Sequence, residues 1–477
     1  MSGYIQGQTR GQITLFPDAL DDFIDDNSPA RIIDVFVDEL NLESLGFKRT
    51  EPKSTGRPGY HPATLLKIYI YGYLNRIQSS RRLEVETRRN IELMWLTERL
   101  SPDFKTIADF RKDNSEGIKN TCAYFIKLCR KLKLLENSIV AVDGSKFKAV
   151  NSRDKNFTPV RIKTHTERIE RQISDYLTAM DDADKTDKAE STLILSKKVA
   201  ALRKRLSRLK DIDKAIKDSP ANQISFTDPD ARAMKVRRST ATVGYNVQTA
   251  VDTHNHLIAA HFVSNEPMDR GLLCEIGEKA QQALGKKNIT VLADKGYFSG
   301  PSIKRAQDKG MIPLVPKPDT SGSAKKGIFN RRLFKYDSKT DSYLCPAGKT
   351  LPYKSTYIER GLRIRAYLSR STCQGCSLWS NCTTSKKDSR RIRRWEHEHR
   401  LEEMESQLQA LPNSTLLRKQ TVEHPFGTIK SWMGSTHFLT RGLKNVSSEM
   451  SLNVLAYNFK RVIALIGKDA LMAAIKA

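Results

Sequence analysis

The sequence has no long apolar run and few cysteines, and both shortages narrow the class of protein. None of its apolar segments approaches the roughly 18 residues that a membrane-spanning helix requires. The N-terminal stretch MSGYIQGQTR has no signal-peptide core, so the sequence predicts a cytoplasmic protein. Stable disulfides are not expected in that compartment, and the 7 cysteines among 477 residues need another explanation.

Acidic residues are also in short supply. The chain has 54 Asp and Glu against 81 Lys and Arg, which gives a formal net charge of +27. Such an excess repels itself unless a polyanion neutralises it. A polybasic membrane-surface protein concentrates its charge in one amphipathic helix, whereas here the charge is spread along the chain. Nucleic acid is therefore the expected partner, a membrane is not, and binding should weaken with salt.

Residues 1–135 are predicted to be mainly helical. Pro62 follows His61 at a position that the first turn of a helix tolerates, and Thr106 and Asp109 have the spacing of a helix cap. These short helices with basic edges fit a helix-turn-helix, and an all-helical scaffold or dimerisation domain explains them equally well. The segment is interpreted as a DNA-binding or dimerisation domain.

A change of sequence period near residue 138 predicts an α/β core over residues 136–320. The run SIVAVDGSKFKAV is typical of a buried strand that is interrupted by Asp143. Residues 160–217 are rich in Lys and Arg and predict a helical hairpin inserted between strands, with Leu202, Leu206 and Leu209 on one helix face. Strands and helices then follow in a mixed order, with a hairpin turn near residues 253–255.

Residues 321–410 are interpreted as a cysteine-bearing insertion that becomes helical from about Arg394. It precedes residues 411–477, which return to the core and contain the long helix TLLRKQTVEHPFGTIKSWMG. A Cys-x2-Cys pair with two further cysteines in reach fits a tetrahedral zinc site, and the residues concerned are Cys345, Cys373, Cys376 and Cys382. Reduced thiols without metal and a redox role are the alternatives.

The flank of this insertion is strongly basic. Its positive residues are Lys386, Lys387, Arg390, Arg391, Arg393 and Arg394. A zinc-bound insertion could use them to hold DNA or a second subunit, and the alternative is a charged face in contact with solvent.

Three acidic residues lie in unusual surroundings. Asp143 interrupts one apolar run, Asp294 follows another, and Glu423 lies in a basic helix. A charge at the end of a buried strand is unfavourable unless it is paired or bound to metal. Each could be a cap or a salt bridge, but hard oxygen ligands from different elements also suit a divalent metal site for phosphoryl transfer.

Three sequence blocks around these acids carry a resemblance to a known family. VAVDGSKFKA, VLADKGYFS and VEHPFGTIKSWMG are similar to the three catalytic blocks of the DDE transposases of bacterial insertion sequences. DPDAR at 228–232 and GYNVQTAVD at 244–252 resemble further segments of the same family. The resemblance implies a ribonuclease-H-like catalytic core behind an InsH-like helical N-terminal domain.

The same resemblance implies roles for particular residues. Asp143, Asp294 and Glu423 would bind two Mg²⁺ ions, for which Mn²⁺ could substitute. Lys430 matches the DNA-contacting lysine of the family's Tyr-Arg-Glu-Lys signature, whose tyrosine and arginine are Leu416 and Lys419 here. Seven residues are close to two helical turns, so Lys430 is expected on the helix face of Glu423. Lys419, Lys204 and Arg205 are the other expected contacts to DNA phosphates.

The predicted function is transposition: binding of the element's terminal inverted repeats, cleavage at its ends, and transfer of the freed strands to target DNA. A homodimer or higher oligomer on double-stranded DNA is expected, in the bacterial cytoplasm at the nucleoid. The alternatives are a nuclease of the same fold that does not join strands, and a DNA-binding protein derived from a transposase.

Overall fold

The computed structural model describes residues 19–52, 54, 58–150, 156–185, 189–218, 223–235, 241–319, 322, 327–385 and 387–477. The chain divides into two compact units. The first contains the residues up to Asn137, Asp143–Met268 and Thr421–Ala477, and the second contains Ser138–Val142 and Asp269–Gln420.

Helices form the N-terminal part of the first unit. They are α1 (Pro29–Asp38), α2 (Pro62–Leu74), α3 (Ser80–Arg89), α4 (Ile91–Leu96), α5 (Phe104–Asp113) and α6 (Ser115–Lys131). Pro62 is the first residue of α2, and His61 accepts a hydrogen bond from the Ala63 N–H at 3.3 Å, as the sequence predicts. The predicted cap at Thr106 is wrong. Asp103 caps α5 instead, by accepting from the N–H groups of Lys105 and Thr106.

Strands and a long helical hairpin follow in the same unit. They are β1 (Ile139–Lys148, from Asp143 onward), β2 (Asn156–Phe157), α7 (Pro159–Lys185), α8 (Ala189–Lys217), β3 (Ile224–Ser225), β4 (Arg232–Lys235), β5 (Ala241–Asp252) and β6 (Ile258–Ser264). β5 pairs antiparallel with both β4 and β6. The predicted turn between β5 and β6 is confirmed, because Asp252 accepts from the N–H groups of His254 and Asn255.

The α7–α8 hairpin has a small core of its own. Its buried residues are Ile162, Ile169, Leu209, Ile212 and Ile216. Leu202 and Leu206, which the sequence places on one face with Leu209, pack against this cluster and are partly buried. The two helices are therefore held together by a continuous apolar seam, and their charged residues face outward.

The C-terminal part of the chain supplies the central helix of the first unit. α14 (Ser414–Gly427) leads into a π-helical turn at Thr428–Trp432, followed by α15 (Leu443–Ile466) and α16 (Lys468–Lys476). α15 packs against α2, α6 and β6, and most of its residues from Val446 to Phe459 are buried. The Phe459 ring lies 5.0 Å from that of Phe36 and 4.5 Å from that of Phe125. This aromatic cluster ties the N-terminal helices to the core.

The second unit contains a parallel sheet and a separate antiparallel sheet. Ser138–Val142, which includes the first four residues of β1, belongs to this unit. Its other elements here are α9 (Leu273–Leu284), β7 (Ile289–Leu292), α10 (Gly300–Asp308) and β8 (Met311–Leu314). β1 pairs in parallel with β7, which pairs in parallel with β8. α13 (Glu398–Ala410) packs on α10 and β8.

The antiparallel sheet is formed by residues of the predicted cysteine-bearing insertion. Its strands are β9 (Lys335–Asp337), β10 (Ser342–Leu344), β11 (Thr350–Glu359), β12 (Leu362–Tyr367) and β13 (Ile392–Trp395), in the order β13-β12-β11-β10-β9. Two short helices, α11 (Arg370–Cys373) and α12 (Trp379–Cys382), lie between β12 and β13 in sequence. The helix expected from about Arg394 is α13, which begins at Glu398, because Arg394 itself belongs to β13.

The predicted fold class is confirmed. The protein is a mixed α/β structure with a helical N-terminal region, and its strands form both antiparallel and parallel pairs. Within the described residues, no helix is long and apolar enough to cross a membrane.

Candidate active site

Asp143 lies where β1 passes from an apolar to a polar environment. The three residues before it, Val140, Ala141 and Val142, are fully buried, whereas the side chain of Asp143 is half-buried. Further along the strand, Phe147 is buried, and the Lys148 carbonyl accepts from the Phe438 N–H at 2.9 Å. The strand is thus anchored on both sides of Asp143, and its carboxylate is held at a fixed place at the edge of the core.

Lys430 lies against the same strand. Its Nζ donates to the Ser145 hydroxyl at 2.7 Å and to the Lys146 carbonyl at 3.0 Å, and it lies 4.4 Å from the centre of the Phe147 ring. Burial lowers the pKa of Lys430, and the negative charge of Asp143 opposes that change. The ammonium group is therefore oriented by hydrogen bonds to neutral oxygens near a carboxylate.

Glu423 is presented by a helix that packs on this strand. Phe426, one turn after Glu423, lies 6.2 Å from Phe147 between ring centres, while the Glu423 side chain itself is exposed. The expectation of two regular turns between Glu423 and Lys430 is wrong. α14 contains Pro425 and ends at Gly427, and Lys430 lies in the π-helical turn, which changes the helical phase.

Asp294 belongs to the second unit and follows β7. Its Oδ1 accepts from the Gly296 N–H at 2.8 Å, which caps the short 3₁₀ turn Lys295–Tyr297. A Cβ at Gly296 would come within 2.9 Å of that oxygen, so a larger residue there would displace the Asp294 carboxylate. In the β1–β7 register Ala141 pairs with Leu292. Asp294 comes two residues after Leu292, just beyond the carboxyl end of β7, whereas Asp143 comes two residues after Ala141 and lies within β1.

The donor chemistry of these three acids suits a divalent cation, because Mg²⁺ prefers carboxylate oxygens. Within the described ranges, however, no group of three or more His, Cys, Asp or Glu side chains is arranged to hold a metal ion. The acids are thus of the right type, and the side-chain positions do not form a closed ligand set.

Two aspartates of the DPDAR segment have a structural role. Asp228 is fully buried, and its Oδ1 accepts from the Tyr245 hydroxyl at 2.8 Å and the Gly442 N–H at 3.1 Å. Asp230 accepts from the Leu443 N–H at 2.8 Å, at the start of α15. The DPDAR segment therefore fixes the entry to the central helix.

The four clustered cysteines come together in the second unit. Cys345, Cys373, Cys376 and Cys382 all line one cavity of about 20 Å³ beside the antiparallel sheet. Burial raises the pKa of the Cys373 and Cys382 thiols, and the neighbouring cysteines add to that effect. Cys345 Sγ accepts from the Lys349 N–H at 3.4 Å. As expected, Cys122, Cys129 and Cys274 are buried, and the Cys274 Sγ donates to a carboxylate oxygen of Glu278 at 3.1 Å.

The basic flank of this region is mostly engaged within the protein. Arg394 is buried, donates to both carboxylate oxygens of Glu402, and stacks 3.8 Å from the centre of the Tyr336 ring. Arg393 pairs with Glu359 at 3.1 Å, and Arg390 donates to the Cys382 carbonyl at 3.1 Å. Lys386 lies outside the described residues. A DNA-holding role for Arg394 is therefore wrong.

The other predicted DNA contacts are solvent-facing. Lys419 is exposed on α14, as is Leu416. Lys204 and Arg205 are exposed on α8. Trp432 is 63% exposed in the π-helical turn, between Arg76 at 5.5 Å and Lys460 at 5.3 Å from its ring centre.

Comparisons with known proteins point to one kind of activity. Residues 18–113 match the family model of a transposase domain (DUF772), and residues 344–463 match that of a transposase DDE domain. The second match includes Glu423, Lys430 and the four clustered cysteines. No curated protein matches the chain.

A solved structure of a piggyBac transposase synaptic complex with hairpin DNA is also similar. It has 8% sequence identity and a TM-score of 0.33, over 94% of this chain and 79% of that chain. At that TM-score the likeness adds nothing to the argument.

Both family matches are to transposase domains, and they agree with the resemblance drawn from the three acidic motifs. Residues 18–113 are therefore similar to a transposase domain, and residues 344–463 are more particularly similar to the DDE domain of transposases.

Proposed function

We propose that the chain is a DDE transposase of the insertion-sequence kind, which binds the ends of the DNA element that encodes it, cleaves the DNA there with Mg²⁺, and transfers the freed strands to target DNA. Asp143, Asp294 and Glu423 are the proposed metal ligands, and Lys430 is the proposed contact to the phosphate beside the reacting one. The observation that carries the proposal is the packing of the Glu423 helix on the Asp143 strand through Phe426 and Phe147.

Lys430 supports this assignment because its position is set by the strand. Hydrogen bonds to Ser145 and the Lys146 carbonyl hold the ammonium two to three residues from Asp143 along β1. A fixed cation beside a phosphate orients it for in-line attack and stabilises the charge that develops on its oxygens. A pair of bound divalent ions would supply activation of the attacking oxygen and stabilisation of the leaving one.

The test is DNA cleavage by variants that keep side-chain volume and remove charge. Asp143→Asn, Asp294→Asn and Glu423→Gln should each abolish Mg²⁺-dependent cleavage of a supercoiled plasmid that carries the element, while DNA binding is retained. Glu275→Gln, an exposed acid in the first turn of α9, is the matched control and should cleave normally.

Each outcome of this test is decisive. Near-normal cleavage by any of the three variants would remove that residue from the metal site. Cleavage by the wild-type protein without joined products, in the presence of target DNA, would favour a nuclease that does not transfer strands. Mn²⁺ should support the wild-type reaction in place of Mg²⁺.

We further propose that the four clustered cysteines bind one structural zinc ion. Their thiols line a single small cavity, and the N–H···S bond from Lys349 to Cys345 orients one of them. Thiolates are the preferred ligands of structural zinc, and binding would require the side chains to close around the ion. The site would fasten α11 and α12 to the antiparallel sheet.

Zinc content tests this proposal directly. Purified, reduced protein should carry about one equivalent of zinc, since a closed tetrahedral site holds one ion. Replacing Cys373 and Cys376 together by Ser should remove the zinc, whereas Cys274→Ala should retain it. Wild-type protein without zinc would leave reduced thiols or a redox pair as the explanation.

The net charge and the transposase-domain matches support the proposed partners and the proposed location in the cell. The proposed partners are the terminal inverted repeats, target DNA, and further copies of the chain in a dimer or higher oligomer on DNA. A net charge of +27 fits a protein that is associated with the nucleoid in the bacterial cytoplasm.

A further inference from the structure

A basic cavity lies at the foot of the α7–α8 hairpin, entirely within the first unit. It has a volume of about 510 Å³. Residues at the beginning of α7 and in the second half of α8 line it, with others from the segment that follows β3 and from the loop before α15. None of the residues that line it belongs to the acidic site described above.

Arginines dominate the lining. They are Arg161, Arg205, Arg208 and Arg441, with His165 beside Arg161. Among the described residues that line the cavity, none is Asp or Glu. In the part of the chain that the structure describes, neither Arg205 nor Arg208 nor Arg441 forms a salt bridge, whereas Arg394 of the second unit is fully paired with Glu402. Guanidinium groups that lie this close together repel one another unless a bound anion neutralises their charge.

Aromatic and hydroxyl groups complete the cavity. Phe226 is 49% exposed and meets Phe157 edge to face at 5.7 Å between ring centres. The Thr227 hydroxyl oxygen is buried and has no hydrogen-bond partner among the described residues. An exposed ring beside arginines is suited to contact a sugar or base next to a bound phosphate.

The positions of these groups are fixed by a buried carboxylate. Asp228 follows Thr227 directly, and it accepts from the Gly442 N–H, which is next to Arg441 in sequence. It also accepts from the Tyr245 hydroxyl. Asp228 therefore joins the two loops that carry Phe226 and Arg441, so the cavity is organised before any ligand binds.

We propose that this cavity binds a phosphodiester group of DNA, with the adjoining sugar or base against Phe226. Two N–H groups of one guanidinium can donate to two oxygens of the same phosphate, and the cavity is large enough for a nucleotide-sized group. The assignment of the phosphate to DNA rests on the proposed function. The cavity adds a binding site for DNA that is separate from the metal-binding acids.

The experiment measures binding without metal, so that it does not depend on cleavage. A fluorescent duplex from the end of the element is titrated with protein in EDTA at several salt concentrations. The double variant Arg205→Ala/Arg208→Ala should bind about tenfold more weakly or worse, and its salt slope should fall by about 2, one for each lost phosphate contact.

The matched control removes the same charge from the opposite face of α8. Arg203 and Lys210 are exposed and point roughly 150° or more away from the cavity face at 100° per residue. Arg203→Ala/Lys210→Ala should lose much less affinity. Equal losses in the two double variants would overturn the proposal, because charge alone would then explain binding.

Phe226→Ala tests the aromatic contact. It should weaken binding severalfold with an unchanged salt slope, because no charge is lost. Val160→Ala, also an exposed apolar residue beside the cavity arginine Arg161, is the control and should bind as the wild type does. Wild-type affinity of Phe226→Ala would remove the ring from the site. Circular dichroism and thermal melting check that all variants are folded.

Binding of free phosphate compounds tests whether the cavity is a site for DNA or for a small phosphate ligand. Inorganic phosphate and a deoxynucleoside monophosphate should stabilise the protein only weakly and should compete poorly with the duplex. Strong stabilisation by either, lost in Arg205→Ala/Arg208→Ala, would identify a site for a small phosphate ligand and overturn the DNA assignment. Normal cleavage by Asp143→Asn would instead refute the proposed metal site without touching this result.

Discussion

The arginines of the α7–α8 hairpin and those of the antiparallel sheet in the second unit come from similarly basic stretches of sequence, but their surroundings differ. In the sheet, Arg394 is buried against Glu402 and Tyr336, and Arg331 pairs with the buried Glu398 at 3.1 Å. In the hairpin, Arg205 and Arg208 face a cavity whose described lining residues include no carboxylate.

This difference separates structural charge from charge that is available to a ligand. A buried guanidinium with a carboxylate partner stabilises its own unit, because removing one partner leaves the other without compensation. A guanidinium in an open cavity without such a partner adds little to folding and can bind a phosphate. Positive charge in the sequence therefore indicates a polyanionic partner but not the residues that bind it.

The largest effect is expected for Lys430, a cation that is held by neutral oxygens. Lys430→Ala should slow cleavage about hundredfold at saturating protein and weaken binding much less, because small displacements of the reacting phosphate have large effects on rate. Single-turnover cleavage and duplex binding measure the two quantities.

Lys204→Ala is the matched comparison on α8. It should lower affinity and reduce the salt slope by about 1, and it should leave the rate at saturation unchanged. Equal cleavage rates for the two variants would show that Lys430 has no place in the active site, and would leave it as one more surface charge.

Arg394→Ala should produce the opposite pattern. Arg394 is buried while Glu402 is half-exposed, so losing the guanidinium together with its packing on Tyr336 should lower the free energy of unfolding by about 2 kcal/mol, with DNA affinity unchanged. Urea denaturation and duplex binding are the measurements. Arg391→Ala, at an exposed position three residues earlier, should change stability by about 0.5 kcal/mol at most. Weaker DNA binding by stable Arg394→Ala would remove the distinction between the two regions.

The smallest effect concerns the pH dependence of the same pair. The hydrogen bond from Arg394 lowers the pKa of Glu402, so its contribution to stability is present above the carboxyl's ordinary pKa and is lost as the pH falls through the lowered value. Because Glu402 is half-exposed, Glu402→Gln should destabilise by only about 1 kcal/mol at neutral pH.

Urea denaturation at neutral pH and at about pH 3 tests this prediction, because the Glu402 carboxyl gains protons in that range. The difference between wild type and Glu402→Gln should shrink in acid. Glu403→Gln, whose carboxylate lies 4.0 Å from Arg400, is the control and should show no comparable change. A difference that is the same at both pH values would show that the pair does not contribute through charge.

Local features of the fold were predictable because neighbouring residues decide them. The start of α2 at Pro62 and the turn between β5 and β6 depend on residues one to three positions apart. The antiparallel sheet was not predicted. β11 has little buried surface, with Leu351 as its one buried residue, so its sequence lacks the alternation that identifies a strand.

The site was predictable in part. Two of its proposed acidic residues, Asp143 and Asp294, interrupt or follow apolar runs, which a sequence displays directly. The position of Lys430 around the helix relative to Glu423 was not predictable, because a π-helical turn at Thr428–Trp432 replaces the regular helix that the spacing assumed. The cavity arginines were only partly foreseen. Arg205 was expected to contact DNA, and the three-residue spacing from Arg205 to Arg208 was a signal for one helix face.

The sequence alone determined the net charge, the class of partner, the three acidic motifs and the local starts and ends of many elements. These depend on composition and on short-range interactions. Tertiary structure decided which arginines are paired, where Lys430 lies, and which residues line the cavity. Arg441 reaches that cavity beside Gly442, whose N–H is bound by Asp228 from 214 positions away in sequence. Contacts over such distances depend on the packing of the whole unit, and local sequence patterns do not encode them.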